Sequence, residues 1–274
     1  MERINDFLSV KIGNTNVGVI EYEGKKYLID TGSNEKFAKE IFEQTGRIDF
    51  VFNTHSHADH IQGNRFFALK GANIYADKKE KFFIENPFME SFYLYGANPP
   101  KALKRSFFEA KGSPLKSFDD FELPGFEFVP LPGHSVGMTG IKFGNVLFCG
   151  DAYFGEEIIK KYLYPYLINV REFIDSIQKI ENSDMDLYIP SHGKPSPDPS
   201  HDINTTKNAL NDFINMTFDL LKTPKSVEEI CFEINVPLNS GTFYLFRSFE
   251  SAVLSYLEEK GEISNIAYGK WARI

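Results

Sequence analysis

The chain has 274 residues, of which 42% are hydrophobic and 25% charged, and its formal net charge is −8 at pH 7. This length allows one large domain or two unequal ones, and the acidic balance gives no support for broad binding to nucleic acid or to anionic membranes. Two cysteines without a CxxC pair, no export-signal pattern at the start and no long apolar stretch lead us to expect a cytoplasmic protein without a membrane span.

The first part of the chain alternates predicted strands and helices. Apolar runs predict strands at residues 17–22, 26–30, 50–53 and 74–76. Helical spacing predicts helices after the candidate N-cap Asn34 and over 61–69. Residues 77–117 carry aromatic clusters broken by prolines, which we interpret as short helices. They either cover a functional site or pack their own aromatic side chains on the surface.

The second part continues this alternation, which indicates layers of sheet and helix. Strands are predicted at residues 126–130, 140–143, 146–149 and 187–190, and a helix at 171–180. A proline-rich segment at 196–200 divides a domain of residues 1–200 from an extension of residues 201–274. In the extension we predict helices at 201–222, after Pro224 and at 242–260, and a strand-like end.

Five of the six histidines lie in short fragments that follow predicted strands. Three stand in the HxHxDH run at residues 55–60, and the other two are His134 and His192. Asp151 also follows an apolar strand. Because strand ends can converge at one edge of a sheet, these distant fragments can build one site.

Imidazole nitrogens and carboxylate oxygens are ligands that suit zinc and similar divalent ions. In an HxHxDH run, alternate residues can face one ion while the following Asp-His pair turns towards a second. A carboxylate shared by both ions would keep them about 3.5–4 Å apart, as in two-metal hydrolytic sites. A lone histidine is more often structural, but the combination of fragments is specific for a metal site.

Residues 17 to about 195 resemble the metallo-β-lactamase superfamily. The resemblance rests on motifs in the family's order: LIDTG at 28–32, HxHxDH at 55–60, PGH at 132–134, GD at 150–151 and HG at 192–193. It implies an α/β fold, a four-layer αββα sandwich with the metals at one edge. It also implies that His55, His57 and His134 bind one ion. Asp59, His60 and His192 would bind the other, with Asp151 as the bridge.

The resemblance also narrows the branch of the family. Many true β-lactamases of this fold use a cysteine at the second metal, whereas here Asp151 stands at the GD position and Cys149 precedes it by two residues. Flavodiiron relatives usually have glutamate where this chain has His57. Persulfide dioxygenases keep fewer second-site ligands. The pattern is therefore most similar to dinuclear hydrolases of thioesters, lactones and phosphodiesters.

Three further residues are candidates for supporting roles. Asp30 belongs to an Asp-Thr-Gly triplet that also occurs in aspartic proteases, but those need two copies, and this chain has one. We therefore predict that Asp30 orients a metal ligand. Lys194 could contact an anionic substrate group, and Tyr153 could donate a hydrogen bond to an oxyanion. A solvated loop lysine and a rim aromatic are the simpler interpretations of these two.

The main hypothesis is a metal-dependent hydrolase with two divalent ions, zinc first and iron or manganese as alternatives. A metal-activated hydroxide would attack an ester, thioester, lactone or phosphodiester in a small-molecule substrate, with Asp59 and Asp151 as the catalytic ligands. The alternatives are an iron-dependent oxidoreductase on the same fold and a nucleic-acid-processing enzyme.

The C-terminal extension resembles the small winged-helix-like tails of some family members. It carries seven basic and ten acidic residues, a net of 7 − 10 = −3. Phosphate contacts need basic residues, so we predict that it packs on the core or forms a homodimer contact and does not bind DNA.

Overall fold

Two β-sheets pack face to face in the computed structural model, which describes residues 1–274. The first sheet has seven strands in chain order: β1 (Glu2–Arg3), β2 (Leu8–Lys11), β3 (Val17–Tyr22), β4 (Lys25–Ile29), β5 (Phe50–Phe52), β6 (Asn73–Ala76) and β7 (Lys116–Ser117). The second sheet has four: β8 (Phe126–Pro130), β9 (Thr139–Phe143), β10 (Val146–Gly150) and β11 (Leu187–Pro190), in the order β11-β10-β9-β8.

The helices lie between and after these strands. They are α1 (Glu35–Thr45), α2 (Ala58–Ile61), α3 (Asn64–Leu69), α4 (Lys81–Glu85), α5 (Phe88–Tyr95), α6 (Glu156–Tyr162), α7 (Val170–Glu181), α8 (Ser200–Leu220), α9 (Val227–Ile234) and α10 (Thr242–Glu259). A hairpin of β12 (Ile263–Asn265) and β13 (Trp271–Arg273) follows α10, and short 3-10 helices lie at Phe118–Asp120 and Ala267–Gly269. No helix combines the length and the apolar character that crossing a membrane requires.

Strand β10 shows how the layers form. Its side chains alternate between the two faces of the second sheet, as the period of a strand requires. Val146 and Phe148 join the apolar cluster that contains residues of the first sheet. Leu147 and Cys149 join a second cluster, which α7, α8 and α10 complete. The structure confirms the predicted αββα sandwich with a helical C-terminal extension.

The sheet edge that carries the polar loops is defined by strand direction. Strands β4, β5 and β6 are parallel neighbours, and so are β10 and β11 in the other sheet. Strand β8 runs in the same direction as β10 because both are antiparallel to β9. The segments after these strands can therefore emerge together, where open α/β sheets commonly place their sites.

The structure departs from the sequence-based elements in four places. The helix predicted over 61–69 is divided into α2 and α3 at Gly63, where an added Cβ would lie 2.5 Å from the Cβ of Ala38 and 2.9 Å from that of Thr31. Strands β1, β2 and β7 were not predicted; β1 and β7 have only two residues each, and β2 has four. Helix α6 was also missed, since only Ile159 within it is fully buried and gives it little apolar periodicity.

The extension after residue 200 has three helices and a hairpin, the order of elements expected for a winged-helix-like unit. Its helices do not form a separate core. Phe213, Phe246 and Phe249 belong to the same apolar cluster as Leu147 and Cys149 of the second sheet. The segment at 196–200 is thus a turn in the chain, while the packing is continuous across it.

Candidate metal centre

The polar loops at the sheet edge bring seven ligand-type side chains together. His55, His57, Asp59 and His60 follow β5, and His134 follows β8. Asp151 follows β10, and His192 follows β11. Their donor atoms fall into three overlapping groups, each within 4.8 Å: His55, His57 and His134; His55, His60 and Asp151; and Asp59, His60 and His192. The sixth histidine, His201, lies apart and faces Glu156.

The first group is formed by three imidazoles whose nitrogens converge. Nδ1 of His57 lies 3.0 Å from Nε2 of His55 and 2.8 Å from Nε2 of His134. A neutral imidazole has one protonated nitrogen and one lone pair, so three rings that also bond outward do not satisfy each other completely. This arrangement is suited to a cation.

Asp151 lies between the first group and the second. One of its carboxylate oxygens is 3.3 Å from Nε2 of His134 and 3.4 Å from Nε2 of His192. The other oxygen is 3.5 Å from Nε2 of His60. Asp59 completes the second group, with an oxygen 3.2 Å from Nε2 of His192.

Two atoms of the cluster test whether metal ions fit. Nε2 of His60 and Oδ1 of Asp151 are both buried, and neither has a hydrogen-bond partner. Unpaired buried polar atoms are costly and need an explanation. A cation between them would satisfy both atoms, so the residues present fit a metal site.

Each of the five imidazoles also has a polar partner on its outer side. These pairs are His55 Nδ1 with Thr54 Oγ1 (3.0 Å), His57 Nε2 with Glu90 Oε1 (3.6 Å), His60 Nδ1 with Asp30 Oδ2 (2.8 Å), His134 Nδ1 with the Tyr166 carbonyl (2.8 Å) and His192 Nδ1 with the Asn14 carbonyl. Such partners fix the ring orientation and the tautomer. They direct Nδ1 of His57, and Nε2 of the other four rings, into the cluster.

Asp30 lies where its predicted orienting role requires. Its buried carboxylate accepts hydrogen bonds from the backbone N–H of Thr54 and from the Thr54 hydroxyl, each at 2.8 Å, and from Nδ1 of His60. Its backbone is in the left-handed region at φ 57°, which is uncommon for a residue other than glycine. Strained backbone of this kind is often found at functional sites.

The electrostatics of the two carboxylates and of His57 favour the protonation states that bind metal, whereas Asp151 outweighs burial and raises the pKa of His60 and His192, which must each lose a proton to bind an ion. Burial alone would raise the pKa of Asp59 and Asp151, but the neighbouring histidines outweigh it and hold both pKa values far below their usual range. Burial lowers the pKa of His57 to about 3, and His134 adds to the shift. Near neutral pH the carboxylates are charged and His57 is neutral, as metal ligation requires.

Solvent reaches the cluster from one side. The Asp59 side chain is 38% exposed, whereas those of Asp151 and His134 are 4% and 3% exposed. His57 and His192 are partly exposed beside Asp59. A substrate would therefore approach past these three residues.

The two candidate substrate residues lie in different surroundings. Tyr153 is 1% exposed and packs in the apolar cluster below the second sheet, with its hydroxyl beside the Cys149 thiol. This position favours a role in the core and gives no support for a contact with substrate. Lys194 is exposed two residues after His192, and its contact with a substrate remains a prediction.

Sequence reasoning did not identify two glutamates of the 77–117 insertion. Glu80 is buried against the loops that carry His55, His57 and His134, and Glu90 faces His57. Phe83 and Tyr93 of the insertion line a small cavity together with His57 and His134. A signal was present for Glu80, because it follows β6, a parallel neighbour of the ligand-bearing strand β5. The insertion thus adjoins the cluster, whether or not it moves as a lid.

Two known proteins are similar in sequence to part of this chain. A probable metallo-hydrolase of Methanocaldococcus jannaschii, MJ0888, is 29% identical over 181 residues, which are 62% of this chain and 84% of that protein. Hydroxyacylglutathione hydrolase 1 of Vibrio vulnificus is 31% identical over 134 residues, 48% of this chain and 44% of that protein.

A solved structure shares the fold over nearly the whole chain. The metallo-β-lactamase family protein TTHA1429 of Thermus thermophilus has a TM-score of 0.74 at 19% identity. The alignment covers 95% of this chain and 94% of that one, so the likeness in fold extends past residue 200.

The family model described as the metallo-beta-lactamase superfamily matches residues 10–192, the part of the chain that contains all seven ligand-type residues. This match confirms the resemblance seen in the sequence motifs and the prediction of an enzyme of this type. The chain belongs to the metallo-β-lactamase superfamily.

Proposed function

We propose that this protein is a metal-dependent hydrolase that holds two divalent ions at the sheet edge. His55, His57 and His134 would hold the first ion, and Asp59, His60 and His192 the second. The observation that carries the proposal is the position of Asp151, whose two oxygens face histidines of both groups. Zinc is the first candidate, with iron or manganese as alternatives.

Bound metal would supply a water of lowered pKa and a Lewis acid at the reacting bond. The protein's own contribution is to hold the ligands in fixed orientations. Asp30, Thr54 and the carbonyls of Tyr166 and Asn14 fix four of the rings from outside. Asp59 is the most exposed carboxylate of the cluster, so it is placed to meet the incoming substrate and solvent.

For the substrate we propose a small ester-type compound, with thioesters first and lactones and phosphodiesters next. The support for thioesters is the likeness to hydroxyacylglutathione hydrolase 1, although the matched region is less than half of that protein. Lys194, exposed beside the His192 loop, is the candidate contact for an anionic group of the substrate. Substrate choice depends on the loops around the metals.

The experiment joins metal analysis with a substrate panel. Protein purified without chelators should contain about two equivalents of metal and hydrolyse at least one of a thioester, a lactone and a phosphodiester. The variant to compare with the wild type is Asp151→Asn, which keeps the size of the side chain and removes the charge between the two groups. Equal activity in a metal-free Asp151→Asn variant would exclude metal-dependent hydrolysis.

The two alternative functions give different results. An iron-dependent oxidoreductase would contain iron and consume oxygen with its substrate. A nucleic-acid enzyme that used the winged-helix-like extension would need an exposed basic helix there, but Phe246, Phe249 and Val253 of α10 are buried in the core. This packing and the acidic balance of the extension favour a small-molecule hydrolase.

A further inference from the structure

Glu80 connects the two loops that carry the first group of histidines. Its side chain is fully buried at the start of the insertion, just before α4. Oε2 accepts a hydrogen bond from the backbone N–H of Ser56 at 3.1 Å. Oε1 accepts from the Ser135 hydroxyl at 2.7 Å and from the backbone N–H of Gly137 at 2.6 Å.

The positions of these donors in the chain show which loops the Glu80 carboxylate joins. Ser56 stands between His55 and His57, on the loop that follows the first sheet. Ser135 directly follows His134, on a loop of the second sheet. A single carboxylate therefore joins loops from opposite halves of the sandwich, one residue away from three ligand positions. Any change in its length or acceptor pattern would alter the separation of those loops.

A contribution to stability alone does not account for this side chain well. The three hydrogen bonds come from neutral donors, and burial raises the pKa of the Glu80 carboxyl, which reflects the cost of keeping its charge away from water. Buried charged groups often contribute little net stability compared with apolar residues of similar volume. What the carboxylate provides is three directed contacts that fix geometry.

We propose that Glu80 is a positioning residue that sets the distance of His134 from His55 and His57, and thereby the affinity of the first metal group. This inference rests on the proposed two-metal function. Both oxygens of Glu80 are engaged by residues that neighbour the ligands in the chain, so its role is to position the ligands and not to bind the ion. It should act on the first ion and leave the second group of Asp59, His60 and His192 largely unchanged.

Two variants test the inference at different strengths. Glu80→Gln keeps the size of the side chain but places an NH₂ group against an N–H or O–H donor, so one of the two loops loses its acceptor. Ser135→Ala leaves the carboxylate in place and removes only one of its three hydrogen bonds. Glu85→Gln is the matched control, because Glu85 is an exposed carboxylate of α4 whose hydrogen bond, from the Leu115 N–H, stays within the insertion.

The measurement is titration of chelator-stripped protein with Co²⁺, followed by visible absorption, with competition against a chelator to obtain both affinities. We expect Glu80→Gln to weaken binding of one of the two ions by roughly 10–100-fold, as loss of groups that orient ligands does elsewhere. Ser135→Ala should weaken the same ion by less, and Glu85→Gln should match the wild type. The absorption band that changes should be that of the ion at the three-histidine site. Lower stability of the whole protein would not change the band of one site alone.

The outcomes separate this inference from the function on which it rests. If wild-type protein binds no metal tightly, the proposed function fails, and the role of Glu80 fails with it. If wild-type protein binds two ions and both Glu80→Gln and Ser135→Ala bind them with unchanged affinities and spectra, only the inference about Glu80 is overturned. Because Ser135→Ala is a small change at the end of one hydrogen bond, it remains informative if Glu80→Gln does not fold.

Discussion

Oδ2 of Asp30 lies 2.8 Å from Nδ1 of His60 and also accepts the hydroxyl of Thr54, which in turn contacts Nδ1 of His55. One carboxylate thus orients histidines of both metal groups, one directly and one through a hydroxyl. The backbone of Asp30 is left-handed, and its side chain accepts hydrogen bonds from Thr54 at the start of the β5 loop.

Asp30→Asn should therefore weaken both ions together. The amide keeps the shape but replaces one oxygen with an NH₂ group, so either the Thr54 backbone N–H loses its acceptor or both His60 and the Thr54 hydroxyl lose theirs. We expect roughly 10–100-fold lower metal affinity, measured by chelator competition. Asp119→Asn, at an exposed residue paired with Lys78, is the control. Unchanged affinity in Asp30→Asn would show that the orientation of the rings is set elsewhere.

Asp151→Ala should abolish hydrolysis while the fold is kept. Asp151 faces His60, His134 and His192, and its removal leaves no oxygen between the two groups. Metal content should fall below that of the wild type, and the far-ultraviolet circular dichroism should not change. A folded variant that retains both ions and full activity would contradict the bridging role.

Gly133→Ala should destabilise the protein and displace His134. The backbone of Gly133 is at φ 120°, and an added Cβ would lie 2.3 Å from the backbone nitrogen of Phe173, at the start of α7. We expect a loss of about 1–3 kcal/mol or more in the free energy of unfolding, measured with urea. Gly144→Ala is the matched control, since Gly144 also has positive φ but nothing within 4 Å of the added atom. Equal losses in the two variants would mean that the contact with α7 is not the cause.

Glu250 should make stability depend on pH. This carboxyl is fully buried in α10 with one hydrogen bond, from Thr217, and burial raises its pKa to about 8. The pKa in the unfolded chain is about 4.3. The folded state therefore holds the proton more tightly, and stability falls as pH rises from about 4.3 to about 8, then levels off.

Glu250→Gln tests this dependence. The neutral amide needs no proton, so the variant should gain relative to the wild type as pH rises, by an amount on the order of a few kcal/mol between pH 5 and pH 9. Urea unfolding at several pH values measures the difference. Glu258→Gln, at an exposed position of the same helix, should follow the wild type at every pH. A constant difference between Glu250→Gln and wild type would show that Glu250 does not titrate in this range.

Truncation after Ser200 should unfold the protein or make it insoluble. Ile203, Leu210, Phe246 and Phe249 are each no more than 1% exposed and belong to the cluster that covers the second sheet. Burial of each such side chain contributes roughly 1.5–3 kcal/mol. Solubility and thermal melting of the truncated chain measure the effect. A soluble, equally stable and active fragment would contradict the shared core.

The sequence predicted the parts of the site that are local. HxHxDH sets the relative positions of His55, His57 and His60 within one loop, and an apolar strand before His134, Asp151 or His192 indicates that each reaches the sheet edge. The strands themselves were predicted because their alternating or continuous apolar patterns are strong. Sequence motifs of known order therefore carried most of the information about the ligands.

What the sequence did not predict depends on contacts between distant loops. Glu80 looks like any charged residue in a lysine-rich stretch until the fold places Ser56 and Ser135 around it. Tyr153 looked like a pocket residue because it follows Asp151, but the turn after β10 directs it towards the apolar cluster. The extension was expected to pack on the core or to form a dimer contact, and the fold shows which apolar cluster its helices join, that of the second sheet.

The two halves of the sandwich each carry part of the metal centre: residues 55–60 extend from the first sheet, and His134, Asp151 and His192 from the second. Bound ions would link the two sheets at this edge, and the apolar packing between the sheets would set the distance between the ligands that they contribute. At the middle of that packing, Gly18 lies directly against the ring of Phe148, where an added Cβ would be 2.2 Å from the ring. A side chain at position 18 would push the sheets apart. The substitution would then weaken metal binding at the sheet edge, although position 18 is not part of the metal centre.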